Sequence, residues 1–334
     1  MKNYIILGQG IAGSVLALEM IRRGLNFKVI DHPQLSSSSK IAAGLVNPIV
    51  LKRLKMVADA EKHLQHAENF YTHWQKQLHS EFYHKISISH FFSKQENQNE
   101  WMEKSAYPPF SNYLGEVIAK SPSNFKGDFG FGKMKNTAWL NSSKFLALVR
   151  EFLQNNGQLI SSEIKLEDLQ KDYPMEDIII CNGHLLRHHP RFKEVFAATR
   201  GELLTIRTTE IPQEQIFHAG VFILPIGKNL FKVGASYHWD DLKDQGTEEG
   251  RKKLIYELEK MFSGNYEIID HQAGIRPNIK DRKPILGTSE NWHVFNGLGS
   301  RGVLMAPYLA TVMLDYLQGQ GEIPAEYNIH RFGI

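Results

Sequence analysis

Gly8-Gln9-Gly10-Ile11-Ala12-Gly13 sets three glycines at the spacing with which a chain wraps a pyrophosphate. Gly8 permits the tight turn, Gly10 admits a phosphate against bare backbone, and Gly13 lets a helix pack close on the preceding strand. The free N–H groups of that helix start, at the positive end of its dipole, would face the diphosphate. Asp31, 18 residues beyond Gly13, supplies a carboxylate that can accept hydrogen bonds from a ribose diol. A second run, Gly297-Leu298-Gly299-Ser300-Arg301-Gly302, is followed by no strand ending in an acid in the 32 residues after it. Such a helix start suits an electron-rich part of a cofactor held elsewhere, such as the pyrimidine edge of a reduced flavin. This asymmetry points to FAD rather than NAD.

These residues need a strand, a turn and a helix to hold them. The apolar run 4–7 reads as a strand buried on both faces. Ile11, Val15, Leu18 and Ile21 recur at helical spacing and predict a helix over 11–23, closed by Gly24. A second strand, 27–30, ends in Asp31, completing a βαβ unit. Strands of the same buried type are predicted at 159–164, 177–181 and 292–295, and an apolar helix at 303–317. The middle differs in texture. Residues 56–79 read as one amphipathic helix, and 144–155 as another with Ser142 as its N-cap and Gly157 at its end. Segments 201–207, 221–226, 230–235 and 266–273 read as an antiparallel set interrupted by a helix over 248–262. Residues 36–39 form a polar loop. The fold class expected is α/β, with a Rossmann-like FAD-binding domain (1–50, 136–195 and 285–334) interleaved with a substrate domain (51–135 and 196–284) containing a mixed or antiparallel sheet.

At 334 residues the chain is long enough for about two domains. Its 42% hydrophobic and 22% charged residues exclude disordered and collagen-like chains. The net charge of +3 is too small to argue for nucleic acid by itself. A single cysteine, Cys181, excludes an internal disulfide and a Cys-based zinc cluster and fits a reducing compartment. The 15 histidines, His63/His66 and His188-His189 among them, have no acidic or Cys partner at ligand spacing, so no metal is expected. No apolar stretch approaches the roughly 18 residues that span a bilayer. The first apolar run is too short for a secretory signal, so a cytoplasmic location with no membrane span is the expectation.

Six stretches carry a resemblance: the 8–13 fingerprint; Ala42-Ala43-Gly44-Leu45; 177–183; Arg200-Gly201-Glu202-Leu203-Leu204; Ala273-Gly274-Ile275-Arg276-Pro277 with 281–287; and 297–307. In this order and spacing the chain resembles the FAD-dependent amine and amino-acid oxidoreductases that include D-amino-acid oxidase, glycine oxidase and sarcosine oxidase. The resemblance implies that Ile11, Ala12, Asp31 and His32 lie around the diphosphate and adenosine ribose. It places Ser38, Ser39, Ala43, Gly44 and Leu45 in a loop passing the diphosphate and the flavin face, and Asn182 and Gly183 with the cofactor residues. Ile164 matches a position whose backbone pairs with adenine, and Leu298, Gly299, Ser300, Arg301, Gly302, Val303 and Leu304 match the helix start over the flavin pyrimidine. Arg276 matches the arginine that binds the substrate carboxylate, for which its planar fork is suited. Lys232 lines up with a lysine that activates oxygen in sarcosine oxidase, and Phe222 stands where glycine oxidase has a substrate-binding tyrosine. No Cys or His matches a covalent flavin attachment, so bound, non-covalent FAD is expected.

The implied reaction is oxidation of a C–N bond of a small-molecule amine or amino acid, with hydride passing to flavin N5 and the imine hydrolysed by water. Similarity also extends to the FAD domain of a bifunctional enzyme that removes a carboxymethyl group from a modified wobble uridine in tRNA. It rests on Gly299-Ser300-Arg301-Gly302 and Gly234-Ala235-Ser236-Tyr237. Basic clusters at Lys52-Arg53 with Lys55 and at Arg251-Lys252-Lys253 could face RNA, though solvated faces explain such clusters more often. A non-catalytic flavin-binding module and an NAD dehydrogenase are the remaining readings.

Overall fold

The computed structural model describes residues 2–32, 37–239 and 242–334. Ser36, part of the predicted polar loop, lies outside them.

Asn3–Leu7 is the inner strand of a six-stranded sheet. Tyr4, Ile5 and Ile6 are buried whichever face they point to, as a strand covered on both sides requires. The order across the sheet is Leu159–Ser161, Asn26–Asp31, Asn3–Leu7, Asp177–Ile180, Trp292–Asn296 and Ile285–Ser289. All neighbours are parallel except the last pair, an antiparallel hairpin absent from the sequence expectation. The helices Ile11–Arg22 and Gly302–Leu317 pack together over this sheet, their apolar faces merged in one core cluster with Val149 and Leu153 of the Ser142–Asn155 helix.

The second large sheet has eight strands, in the order Glu267–Arg276, Thr199–Arg207, Leu230–Gly234, Phe222–Gly227, Gln215–His218, Ser87–Phe91, Phe131–Met134 and Leu114–Ile118. The antiparallel expectation holds for its first half. Farther across, Gln215–His218 runs parallel to Ser87–Phe91, which makes the sheet mixed. The helix Glu248–Met261, capped by the Thr247 side chain accepting from the Gly250 N–H, covers the face carrying Leu204, Ile206 and Val233.

Three local expectations change. The predicted 56–79 helix begins only at Ala60, because Lys55–Met56 pairs with Ile49–Val50 and Asp59 takes a left-handed conformation (φ 50°) that starts the helix afresh. Asn141, not Ser142, caps the next helix, its side chain accepting from the Lys144 N–H at 3.2 Å. The Ser142 hydroxyl donates instead to the Ala42 carbonyl. The 159–164 strand stops at Ser161, and Ile164 lies in the cleft beyond its end.

Candidate functional site

Strand register levels the loops that matter. Leu7 pairs with both Ile30 and Ile180, and Ile180 with Val294. The turns after four parallel strands therefore open at one edge of the sheet, where open α/β sheets hold their ligands. They enclose a cleft of about 1000 Å3.

The first turn is built as its glycines require. Gly8 has φ +100°, and a Cβ there would lie 2.9 Å from the Asn182 Cα. A Cβ on Gly13 would stand 1.9 Å from the Gly8 carbonyl oxygen, so Gly13 acts through packing and does not itself line the cleft. Gly10, Ile11 and Ala12 do line it. The 37–39 segment folds over the helix start: the Ile11 N–H donates to Ser39 Oγ (3.1 Å), and a Cβ on Gly10 would press on that oxygen at 3.3 Å.

Asp31 ends its strand as predicted, already engaged on both oxygens. Its Oδ1 accepts from the Gln9 N–H (3.0 Å) and its Oδ2 from Arg150 Nη1 (2.8 Å). A carboxylate has about four acceptor positions, so a ribose diol can still be received. Sequence reasoning missed Arg150. It comes from 119 residues away, on the Ser142–Asn155 helix, where one arginine among other charged residues gives no signal. His32 and Ile164 line the same cleft, and His32 Nδ1 is buried with no hydrogen-bond partner among the described residues. Asn182, Gly183 and Leu298 complete the far wall, with Asn182 Oδ1 accepting from Asn296 Nδ2 at 3.2 Å.

Ile11, Ser38, Ser39 and Gly299 belong at once to this cleft and to a second chamber of about 1550 Å3, so the two adjoin along a shared wall. Ala43, Gly44 and Leu45 form one wall of the chamber. Gly44 (φ +76°) backs against Leu140, whose carbonyl oxygen would lie 1.9 Å from any Cβ at that position. Ser300, Arg301, Gly302 and Val303 form another wall, whereas Leu304 turns into the core at 1% exposure.

The remaining wall is the large sheet. Gly201 stands opposite Gly274 in register, and Gly234 pairs with Leu203. Because Gly201 lacks a Cβ, the Arg276 guanidinium lies directly across it; a methyl there would meet Arg276 Nη2 at 2.0 Å. Arg276 Nη1 donates to the Ser236 carbonyl (3.2 Å), and the guanidinium sits 4.3 Å from the centre of the Tyr237 ring. Burial lowers its pKa, and among the described residues no carboxylate pairs with it. Phe222 lines the chamber with no hydroxyl to offer. Lys232 is not itself among the chamber's lining residues; its Nζ donates at 3.0 Å to the carbonyl of Ile41, which is. His218, unremarked in the sequence, reaches the chamber and shares a 2.9 Å Nδ1–Nδ1 contact with His90. Burial pushes His90 to about 4 and His218 to about 3, so both are neutral, one donating and one accepting.

FAD fits these walls. The cradle between Gly8 and Gly13 leaves bare backbone at the helix start, Asp31 and His32 face the cleft, and the chamber adjoins it along a shared wall. Fold and cavity define a dinucleotide-binding α/β protein with an adjoining ligand chamber. The chain belongs to the FAD dependent oxidoreductase family, whose profile it matches over residues 3–316. It is 24% identical over 355 aligned positions to the tRNA 5-methylaminomethyl-2-thiouridine biosynthesis bifunctional protein MnmC of Idiomarina loihiensis, covering 96% of this chain and 56% of that protein. It is 21% identical to the bifunctional protein ThiO/ThiG of Nostoc sp., covering 98% of this chain and 54% of that one. The chain thus spans about half the length of these curated relatives. Among solved structures, iminodiacetate oxidase from Chelativorans sp. BNC1 superposes with a TM-score of 0.83 at 16% identity, covering 97% of this chain and 98% of that one. Glycine oxidase from Geobacillus kaustophilus superposes at 0.81 and 14%, covering 98% and 97%. Among the described residues no helix is long and apolar enough to cross a membrane.

Proposed function

We propose that this FAD-dependent oxidoreductase oxidises the C–N bond of an amine bearing a carboxylate, an amino acid or an N-alkyl amino acid. The observation that carries the reading is Arg276: a half-buried arginine on the chamber wall, its guanidinium 4.3 Å from the Tyr237 ring centre and across Gly201, with no acid among the described residues to neutralise it. A buried unpaired cation is costly to the fold unless something supplies the missing anion. A substrate carboxylate does so bidentately and fixes the substrate in one orientation.

FAD, when bound, accepts the hydride from the substrate carbon and so supplies the redox chemistry. The protein's part is positional and electrostatic. Arg276 holds the carboxylate, the glycine-lined strands let the substrate approach the sheet, and the apolar side chains Leu203, Ile216 and Phe222 exclude water. No Asp or Glu lines the chamber among the described residues, and His218 is too weak a base to take the amine proton near neutrality. The substrate therefore reacts as its free amine, its proton having gone to solvent. The imine product is hydrolysed by water. We assign the FAD-contacting role to the cleft residues named above, with non-covalent attachment, and the substrate role to the large sheet. Anaerobic addition of amino acids and N-methyl amino acids to the flavin-loaded protein tests the reading: bleaching of the flavin band supports it, and a band unmoved by the whole panel overturns it.

A second reading attaches the same amine to tRNA. It is favoured by the likeness to MnmC across 96% of the chain and by Tyr237 and Trp239, both more than half exposed, on one loop beside Arg276. Salt-sensitive binding of tRNA, and carboxymethylated wobble uridine accumulating in a deletion strain, would select it over the free amino acid.

A further inference from the structure

The chamber holds a second cation that the carboxylate of an amino acid leaves unanswered. Arg301 stands on its wall, half-buried, and among the described residues its guanidinium makes no hydrogen bond or ion pair. Other arginines withdrawn from water have partners: Arg23 meets Glu19 and Asp315, Arg150 meets Asp31, Arg200 meets Glu202, Arg331 meets Asp281, and Arg187 donates to the His184 carbonyl. Arg301 instead has Arg282 as a like-charged neighbour, and burial lowers its pKa. Its backbone is held firmly. The Arg301 N–H closes a turn on the Leu298 carbonyl (3.2 Å), a Cβ on Gly299 would strike Asn278 Oδ1 at 2.6 Å, and one on Gly302 would strike Ile11 at 2.8 Å. The backbone that carries the cation is thus fixed at the chamber wall.

Charge balance gives the consequence. Lys52, Arg276 and Arg301 line the chamber, and no carboxylate among the described residues does. An amino acid bound as its free amine brings a single negative charge, enough to answer one of these cations. An amine carrying two anionic groups brings a net negative charge and satisfies both guanidinium forks. We infer that the substrate carries a second anionic group, carboxylate or phosphonate-like, held by Arg301 while Arg276 holds the carboxylate beside the reacting carbon, with Lys52 at the rim. This rests on the proposed amine oxidation for its chemistry and stands on the chamber's charges for its binding.

The test uses the flavin-loaded protein and compounds that cannot react. Thiodiacetate carries two carboxylates and methylthioacetate one; each is titrated while the flavin absorbance change is followed. A charged hydrogen-bonded contact of this kind gives an affinity ratio of roughly 10- to 100-fold for thiodiacetate in the native protein. Arg301→Met should bring that ratio close to one, and Arg301→Lys should restore part of it. Among oxidisable amines, iminodiacetate and N-phosphonomethylglycine against sarcosine separate a carboxylate from a phosphonate as the second group. A native protein with no preference for thiodiacetate overturns the inference. So does an Arg301→Met variant that weakens both acids equally, which would put both arginines on one carboxylate. A lowered flavin potential in Arg301→Met with the affinity ratio intact would assign Arg301 to the flavin instead. If thiodiacetate is preferred but no amine bleaches the flavin, the amine-oxidation reading fails and the second anion site stands.

Discussion

The cleft at the sheet edge and the chamber beside it share a wall but are built on different principles. The cleft is shaped at its tightest turn by backbone, with glycines where side chains would collide. Its charges are mixed: Asp31 and Glu163 face it together with Lys40. The chamber is made of side chains and carries one sign, three cations without an acid among the described residues. The first arrangement recognises a shape common to many dinucleotides. The second selects for charge and therefore for substrate.

That contrast sets what each region should do when broken. Gly13→Ala attacks the cleft at its tightest point, because the new Cβ would lie 1.9 Å from the Gly8 carbonyl oxygen. Helix and strand must separate, and the purified variant should carry almost no flavin by its ratio of 450 to 280 nm absorbance. Arg276→Met attacks the chamber alone. It should keep its flavin yet lose roughly 30- to 1000-fold in the apparent rate of anaerobic reduction by amino acids, the cost of about 2–4 kcal/mol for removing one partner of a buried charge pair. If Arg276→Met loses flavin and substrate turnover together, the two regions are not separable.

Asp31→Asn should have a smaller effect. It weakens the contact to Arg150 and one ribose acceptor, so the dissociation constant for FAD should rise about tenfold, at the 1.5 kcal/mol scale of one charged hydrogen bond. Fluorescence titration of the apoprotein measures it. The chamber's back wall gives the smallest and slowest change. His90 and His218 are held neutral at about 4 and about 3, against an ordinary value of 6.5. The unfolded chain therefore binds more protons below pH 6.5, and stability present above 6.5 drains away as pH falls toward 4 and 3. The melting temperature should decline across that window, and His218→Gln should flatten the decline; an unchanged slope would contradict the buried neutral pair.

How much the sequence disclosed follows the same division. Gly8, Gly10, Gly13 and Asp31 sit within 24 consecutive residues, and local spacing suffices to place them on a strand, a turn and a helix. The parallel sheet was legible for the same reason, since strands buried on both faces read as short apolar runs. Arg150 was not, because its meaning lies in a contact 119 residues away. Tyr237 and Gly201 acquire their roles only when the sheet register lays Arg276 between them. Arg301 was read as part of a helix start, and nothing in the chain order shows that no acid comes to meet it. The expected sheet was mixed or antiparallel, but the strands that make it mixed were not placed, because Gln215–His218 and Ser87–Phe91 are short and join across 126 residues or more.

The central claim is that a half-buried Arg276, met by no acid among the described residues, makes the chamber a site for carboxylate-bearing amines beside a bound flavin. Anaerobic stopped-flow reduction of the holoprotein measures it most directly, comparing each amino acid with the amine that lacks only its carboxylate. The account predicts bleaching by the acids, little or none by the amines, and loss of that difference in Arg276→Met. Equal reduction by both compounds, with Arg276→Met behaving as the native protein, would contradict it.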